Sequence, residues 1–521
     1  MNYLLKNAQI YKNTGDLVEV DIYIKDGRFI EQADMDFGGD FKAIDLEKRI
    51  VLPGLIDSHI HGYNWATREL MPNIKSAKSI PEFLNIIKVH LDDLSDVEKA
   101  SNFIYLSAWN EEQFIEKRMP TLAELDSVSA DIPLLCSRIC GHLAIANSAL
   151  LKKLDWETWY AKNPSFVGLD HEDNPSGIIA EDFYNAVLAS QSKESFTQIK
   201  SKLRFALSSL RDMGLSTIGS NDDSYPFDLD FWQALEELYL EDKTLPRYYA
   251  QIILDSLDQI REFKALQNKY DQDENIRITH IKLFMDGSLG ARTAYLQENY
   301  ADWSSKGMQA MSKDELLEWF LEADKVGVGL AIHAIGDQAM LNVVNAYLEC
   351  QEKTGVFDNP NRHTIIHAQI HDEEIIDKIK ITGLCVGTQP IFAISDWNMA
   401  LDRLGERREL SYQFKHMSEQ GIHQGFGSDS PVESANPLDT LSASMKHPAG
   451  EHASFDFYSA LKCQTMENAY ILSAEEELGA IEIGKLADLI VLDTTNTEDC
   501  LDVDKLRKLK VFSMMKSGFL F

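Results

Sequence analysis

Residues 312–337, SKDELLEWFLEADKVGVGLAIHAIGD, contain a helix, its end and a short apolar strand in one run. Ser312 and Glu315 have the spacing of a capping box, which marks where the helix starts. Gly327 lies where a helix C-cap needs a left-handed residue, and the strand after it ends in His333. The stretch predicts a helix, a glycine stop and a buried strand with a polar side chain at its carboxyl end.

The same unit occurs three more times along the chain. SKLRFALSSLRDMG precedes LSTIGSND, HDEEIIDKIKITG precedes LCVGTQP, and SYQFKHMSEQG precedes IHQGFGSDS. Strands that alternate with helices predict a parallel sheet. The apolar strand candidates number nine: 55–61, 133–139, 216–220, 247–253, 278–284, 329–333, 364–367, 384–388 and 424–428.

A (β/α)8 barrel of the TIM type needs eight of these strands. The candidate at 133–139 does not fit, because it lies inside a long segment between the first strand and the next helix-glycine-strand unit. We therefore expect an α/β fold with the barrel over residues 51–472. Residues 62–205 are expected to form a large insertion, or lid, after the first barrel strand.

Both ends of the chain have a different pattern. Residues 2–50 alternate apolar and polar positions around the turn signals KNTGD, KDGR and FGGD, and GAIEIGKLADLIVLD lies near the C-terminus. We expect residues 1–50 and 473–521 to form a small β-sandwich domain outside the barrel.

Composition excludes several classes of protein. Acidic residues outnumber basic ones by 83 to 50 in the 521 residues, and a formal charge of −33 would repel nucleic acid. The N-terminus lacks the features of a signal peptide, and no apolar window is long enough for a membrane span, so we expect a cytoplasmic location. Six cysteines without a CxxC pair are expected to be buried free thiols.

Polar side chains collect at the carboxyl ends of the predicted strands. LPGLIDSHIHGY, residues 52–63, ends the first strand with His59 and His61, which point the same way because side chains two apart share a face of a strand. The strands ITHIKLF, GLAIH, HTIIH and GFGSD carry Lys282, His333, His367 and Asp429. In a barrel these ends meet at one rim, where catalytic sites lie.

Each of these residues alone has a structural explanation, since a strand-end histidine is more often hydrogen-bonded than metal-bound. Together they favour a metal centre, because imidazoles and a carboxylate suit one or two zinc or similar divalent ions. Lys282 would either become an anionic carbamate that bridges two ions or remain an amine that contacts the substrate. Asp429 would orient the attacking water, take its proton and pass it to the leaving group.

This order of residues on such a barrel resembles the amidohydrolase superfamily. PGLIDSHIH, KLFMDGSLGARTA, HAIGD, HAQ and GSDSPVE are similar to its amidohydrolase 3 branch, which includes N-substituted formamide deformylase. The resemblance implies that His59, His61, His333 and His367 are metal ligands, Lys282 is the bridging ligand, and Asp429 is both ligand and general base. Ile366 departs from the pattern, because relatives commonly have an acidic residue before the histidine of HAQ.

The resemblance also implies that His142 of the insertion reaches the active site, although a structural histidine is an equal alternative. Beyond Lys282, four residues could shape a substrate pocket or merely hold their loop: Asp286, Ser288, Arg292 and Thr293. The aromatic residues Trp109, Trp156, Trp159 and Tyr160 of the insertion could face an aromatic substrate or pack in a core.

The predicted function is metal-dependent hydrolysis of a non-peptide carbon-nitrogen bond, in an N-formyl or N-acyl amine. An ester, a lactone or a cyclic amide is an alternative substrate for the same chemistry. A ring deaminase is less favoured, because those relatives keep a glutamate where this chain has HAIGDQ. A non-catalytic binding module would have no need to keep Asp429. We expect a small-molecule substrate as the partner, and a homo-oligomer is compatible with the sequence.

Overall fold

The computed structural model describes residues 2–12, 15–35, 41–72, 74–94, 99, 101–138, 143–190 and 193–521. The chain forms two compact units, one from Met1–Ala66 with Ile199–Phe521 and one from Thr67–Gln198. The first unit contains the barrel and the strands of both chain ends. The described part of the chain contains no helix that is long and apolar enough to cross a membrane.

The barrel is a parallel sheet in which consecutive strands are neighbours, and this confirms the predicted barrel. Among the described residues it has eight strands: Leu55–Ile60, Leu215–Ser224, Arg247–Ile253, Ile276–Phe284, Gly329–Ala334, Thr364–His367, Cys385–Thr388 and Gln424–Phe426. The sheet is nearly closed beyond its eighth strand. There the Asp429 backbone N–H donates to the His59 carbonyl at 2.9 Å, and the His61 N–H donates to the Ser430 carbonyl at 2.8 Å.

The helix that begins after Ser312 forms as its sequence predicts. Ser312 Oγ accepts from the Glu315 N–H at 3.2 Å, and the Glu315 carboxylate accepts from the Ser312 N–H at 2.8 Å. The helix Lys313–Val326 then buries Leu316, Phe320 and Ala323, which share one face. Gly327 ends it with a φ of 70°, and the chain enters the buried strand Gly329–Ala334.

Most helices of the first unit follow the barrel strands or extend their loops, and the last two lie between strands of the sheet that the chain ends form. The helices are Gly62–Glu69 (which runs into the second unit), Phe196–Asp212, Leu229–Glu241, Ile260–Lys269, Lys313–Val326, Asp337–Thr354, Glu373–Thr382, Pro390–Ser395, Trp397–Leu404, Phe414–Glu419, Pro437–Ser444, Phe457–Lys462, Asn468–Ile471, Glu498–Leu501 and Val503–Leu506. The first of them follows the first strand directly, so His61 lies between strand and helix.

Strands from both chain ends pair in one mixed sheet. Its strands are Asn2–Tyr11, Leu17–Lys25, Arg28–Ile30, Phe41–Asp45, Ile50–Pro53, Leu489–Leu492, Val511–Lys516 and Phe519–Leu520. Ile50–Pro53 joins the two ends, because it pairs parallel with Asn2–Tyr11 and antiparallel with Leu489–Leu492. The association of the termini is therefore observed, whereas the sandwich packing stays a prediction.

The second unit has its own sheet and core. Its sheet contains Ile104–Trp109, Leu134–Arg138, Leu143–Ala146, Val167–Leu169 and Pro175–Ala180. Its helices are Ile80–Asp93, Leu122–Val128, Ser148–Leu151, Trp156–Lys162 and Glu181–Ala189. The ninth strand candidate thus belongs to this sheet and not to the barrel.

Aromatic residues of the second unit pack inside it. Trp109 is fully buried, and its Nε1–H donates to the Cys136 carbonyl at 2.8 Å. Trp159 stacks on Phe183 with ring centroids 5.1 Å apart. Trp156 and Tyr160 are partly buried against the same apolar cluster. The observed contacts of these side chains are therefore those of a core.

The described cysteines agree with the expectation of free thiols. Cys136, Cys350, Cys385, Cys463 and Cys500 are all buried and unpaired. Cys140 lies outside the described residues.

Candidate metal centre

His59, His61 and Asp429 form the most compact group of potential ligands. His59 is the penultimate residue of the first strand, His61 directly follows that strand, and Asp429 follows the eighth strand, which is the first strand's neighbour where the sheet nearly closes. Asp429 Oδ1 lies 3.1 Å from His61 Nε2 and 3.5 Å from His59 Nε2. One ligand atom from each residue lies within 4.8 Å of the other two, so a single ion could contact all three.

The other predicted ligands extend this group. Lys282 Nζ lies 3.4 Å from His59 Nε2. The His367 ring centroid is 5.8 Å from that of His59 and 4.5 Å from that of His333. All six side chains line one cavity of about 390 Å³, a volume within the usual range for small-molecule sites. The six side chains that the sequence places at or near strand ends therefore lie around one cavity.

Hydrogen bonds fix which ring nitrogen of each histidine is available. Gln251 Oε1 lies 2.7 Å from His59 Nδ1, and Gln389 Oε1 lies 2.8 Å from His367 Nδ1. The Gln251 amide nitrogen donates to the Ser58 carbonyl, which orients that amide oxygen toward His59. An oxygen acceptor requires a proton on Nδ1, and the lone pair is therefore on Nε2.

The two remaining rings are held by backbone carbonyls. His61 Nδ1 lies 2.7 Å from the Asn221 carbonyl, which leaves Nε2 for the group around Asp429. His333 is the exception, because its Nε2 lies 3.1 Å from the Gly287 carbonyl and its lone pair is therefore on Nδ1. Such partners orient the metal ligands in known centres.

Sequence analysis missed Asn221, Gln251 and Gln389, although a signal for them exists. Asn221 and Gln251 lie within three residues of the carboxyl ends of their strands, and Gln389 directly follows its strand. Amides and backbone carbonyls are not typical zinc ligands, so a ligand pattern in the sequence does not single these residues out. Polar residues near strand ends are candidates for hydrogen-bond partners of the histidine rings.

Burial and neighbouring charges keep three imidazoles neutral. Burial lowers the pKa of His59 and His367 well below its usual value, and nearby Lys282 adds to both effects. Burial, with Lys282, also lowers the pKa of His333 to about 3. At His61, burial is outweighed by the hydrogen bond with Asp429, and the pKa rises. Neutral imidazole is the form that binds metal ions.

The residues present fit a divalent cation. His59, His333 and His367 each keep one ring nitrogen without a hydrogen-bond donor role, and the Asp429 carboxylate lies against His59 and His61. Imidazole nitrogen and carboxylate oxygen are the donors that zinc and similar ions take in catalytic sites. Burial lowers the pKa of Lys282 to about 7, which is far below that of an exposed lysine.

Three of the four residues beyond Lys282 make contacts that hold their loop. The buried Asp286 carboxylate accepts the N–H groups of Tyr295, Ile335 and Gly336 at 2.8, 3.1 and 2.8 Å. Arg292 pairs with Asp302 at 2.6 Å, and Thr293 Oγ1 accepts from the Ser288 N–H at 3.0 Å. Ser288 is the one of the four that lines the cavity. His142 lies outside the described residues, so its catalytic role stays a prediction.

A parallel barrel with clustered histidines and a carboxylate at one rim defines a class of metal-binding barrel protein. Comparison with known families makes this more specific, because a model described as the amidohydrolase family matches residues 42–517. The chain therefore belongs to the amidohydrolase family, and it is a metal-dependent hydrolase of that superfamily.

Individual relatives cover nearly the whole chain. It is 27% identical to YtcJ of Bacillus subtilis (strain 168) over 92% of this chain and 91% of that protein. It is 23% identical to N-substituted formamide deformylase of Arthrobacter pascens, over 92% and 90% of the two chains. The crystal structure of an uncharacterized metal-dependent hydrolase from Pyrococcus furiosus matches with a TM-score of 0.75 and 26% identity, over 95% of this chain and 99% of that one.

Proposed function

We propose that the protein hydrolyses the carbon-nitrogen bond of a small non-peptide amide, an N-formyl or N-acyl amine, with the help of zinc. The observation that carries this proposal is the convergence of His59, His61 and Asp429 ligand atoms in a cavity of small-molecule size. The relationship to N-substituted formamide deformylase supports an amide as the substrate.

In this proposal the ion is held by His59, His61 and Asp429, with His333, His367 and Lys282 beside them. When bound, an ion of this kind polarises a carbonyl group and lowers the pKa of water toward neutrality. A carbamate on Lys282 Nζ would supply a bridging oxygen for a second ion. The Lys282 amine supports this modification because it is buried beside His59 and has no carboxylate within ion-pair distance among the described residues.

Asp429 moves the proton. Its carboxylate takes a proton from the attacking water, whose oxygen forms the new bond to the carbonyl carbon. Asp429 then gives that proton to the departing nitrogen as the carbon-nitrogen bond breaks. The products are a free amine and formic acid or another carboxylic acid. The water oxygen and one of its hydrogens are then in the acid, and the other hydrogen is on the amine nitrogen. His61 Nε2 lies 3.1 Å from Asp429 Oδ1, so the proposed base lies beside the ligand atoms that would hold the ion.

The first test is elemental analysis of protein purified without chelator, with intact-mass measurement under non-acidic conditions. About two ions per chain and an added carbon dioxide on Lys282 are expected. One ion without the added mass would make Lys282 a substrate contact. No metal, even after reconstitution, would contradict the proposed function.

The second test compares N-formyl and N-acyl amines with esters and lactones of matched size. Amides are expected to be the better substrates by kcat/KM, and a consistent preference for esters or lactones would contradict the bond assigned here. Asp429→Asn is expected to lose most of the amide activity, because it lacks the proposed base. Asp377→Asn is its matched control, because Asp377 is exposed on the helix Glu373–Thr382 and does not line the cavity.

A further inference from the structure

Two carboxylates line the cavity without a positive partner. Asp396 and Glu433 are both among the residues that form its wall. Within the described residues, neither has a lysine or arginine at ion-pair distance. The Tyr412 hydroxyl donates a hydrogen bond to Asp396 Oδ2 at 3.0 Å. Lys282, at the candidate metal centre, is the one lysine or arginine among the described residues that line the cavity, and the four histidines there are the candidate metal ligands.

Asp396 follows a short helix, Pro390–Ser395, that contacts the candidate ligand His367. Gln389, just before the helix Pro390–Ser395, holds His367, and Phe392 stacks on the His367 ring with centroids 6.2 Å apart. Asp396 caps this helix four residues after Phe392, and residues four apart share a face of a helix. The carboxylate therefore belongs to the same wall as the ring beside His367.

Glu433 is tied to the metal centre from the neighbouring strand. It follows Asp429 by four residues, through a turn in which the Val432 N–H donates to the Asp429 carbonyl at 3.0 Å. The seventh and eighth strands are adjacent in the barrel, so both carboxylates lie on loops of the same side. The pKa of Asp396 is raised by burial and then by the charge of Glu433, which agrees with this proximity.

The rest of the wall near these carboxylates is apolar. Phe392 and Met399 lie on the segments around Asp396, Leu289 faces them from the loop after the fourth strand, and Val432 precedes Glu433. Gly290 next to Leu289 approaches Met399 closely, since a Cβ on that glycine would lie 3.2 Å from the Met399 sulfur. A cavity wall that is apolar and carries carboxylates at one end fits a ligand that has an apolar part and a cationic group.

We propose that the substrate carries, besides the amide that is cleaved, an ammonium or similar cationic group that Asp396 and Glu433 bind. This inference rests on the proposed function for the reacting end of the substrate. Asp396 and Glu433 then select the substrate, whereas Asp429 transfers the proton. An anionic group at the same place would be repelled, since two carboxylates already lie there.

The experiment compares three N-formylbenzylamines that differ at the para position. The substituents are aminomethyl, which is cationic, ethyl, which is neutral and of similar size, and carboxymethyl, which is anionic. We expect kcat/KM to be roughly 10- to 100-fold higher for the cationic than for the neutral compound, the range of a charge-assisted hydrogen bond, and lowest for the anionic one.

Variants locate the source of that preference. Glu433→Gln and Asp396→Asn should each lower the cationic-to-neutral ratio about tenfold. Glu419→Gln removes an exposed carboxylate that does not line the cavity, and it should leave the ratio unchanged. A wild-type ratio near one, or an unchanged ratio in the double variant Glu433→Gln/Asp396→Asn, would overturn the inference.

A binding measurement separates this inference from the proposed function. Calorimetry would compare N-[4-(aminomethyl)benzyl]methanesulfonamide with its 4-ethyl analogue, neither of which can be hydrolysed as an amide. Tighter binding of the cationic compound, weakened in Glu433→Gln, supports the inference even if no formamide is cleaved, and only the proposed bond would then be wrong. Equal binding of both compounds would overturn the inference even if neutral formamides are good substrates.

Discussion

Gln251 is expected to control metal affinity without touching the metal. It lies buried in the third barrel strand, with Oε1 2.7 Å from His59 Nδ1 and its amide nitrogen 2.8 Å from the Ser58 carbonyl. Gln251→Leu removes the acceptor and leaves the His59 N–H buried without a partner. Loss of such a partner typically weakens metal binding about 10- to 100-fold, which corresponds to about 1.4 to 2.7 kcal/mol.

The assay is competition for zinc between the protein and a chromogenic chelator, with the free energy of unfolding measured in parallel. The unsatisfied N–H should also cost about 1 to 3 kcal/mol of stability, so affinity has to be separated from folding. Gln424→Leu is the matched control. Gln424 is equally buried in the eighth strand, but its amide donates to Thr388 Oγ1 and does not contact a candidate ligand.

A third variant tests the physical reason. Gln251→Glu keeps an oxygen acceptor for the His59 N–H, so its zinc affinity should fall less than that of Gln251→Leu. The reasoning would be refuted if folded Gln251→Leu bound zinc as tightly as the wild type. It would also be refuted if Gln424→Leu weakened zinc binding by the same factor, because the effect would then follow from any lost core amide.

Three further outcomes are expected. Asp429→Asn should lower kcat for the best amide substrate about 10²- to 10⁴-fold in steady-state assays, and a loss below tenfold would exclude it as the base. Asp488→Ala leaves the buried Arg247 guanidinium without its carboxylate, and urea unfolding should show a loss of about 3 to 5 kcal/mol, whereas a loss under 1 kcal/mol would contradict this. Burial lowers the pKa of Lys516 to about 7, so the folded state resists its protonation as pH falls from 10.5 toward 7. From pH 7.5 to 9.5 the free energy of unfolding should therefore rise by about 2.5 kcal/mol more in the wild type than in Lys516→Met, and equal slopes would contradict the shift.

The barrel and its rim were predictable because their signals are local. A capping box, a glycine stop and a short apolar strand each occupy a few consecutive residues, as around Ser312 and Gly327. A parallel barrel then places every strand's carboxyl end on one rim. This topology predicts that residues at the ends of different strands, such as His61 and Asp429, lie close together.

Other features depend on partners that are distant in sequence. Asp286 accepts backbone N–H groups from residues 295, 335 and 336, and nothing near Asp286 in the sequence shows that they converge there. The strand Ile50–Pro53 pairs with Leu489–Leu492, more than 400 residues away. Alternation predicts that such strands exist but does not give their partners or register.

The rim uses every strand of the barrel, and this has a consequence for specificity. In strand order, the candidate ligands and the residues that hydrogen-bond to them are His59 with His61, Asn221, Gln251, Lys282, His333, His367, Gln389 and Asp429. Asp396 and Glu433 lie outside this ring, on the loops after the seventh and eighth strands. A substitution at Glu433 can therefore change what the cavity accepts while the hydrogen bonds that orient the histidines stay in place. In the proposed assignment, reaction chemistry and substrate choice reside in different parts of the same rim, which is how one barrel fold supports many substrates.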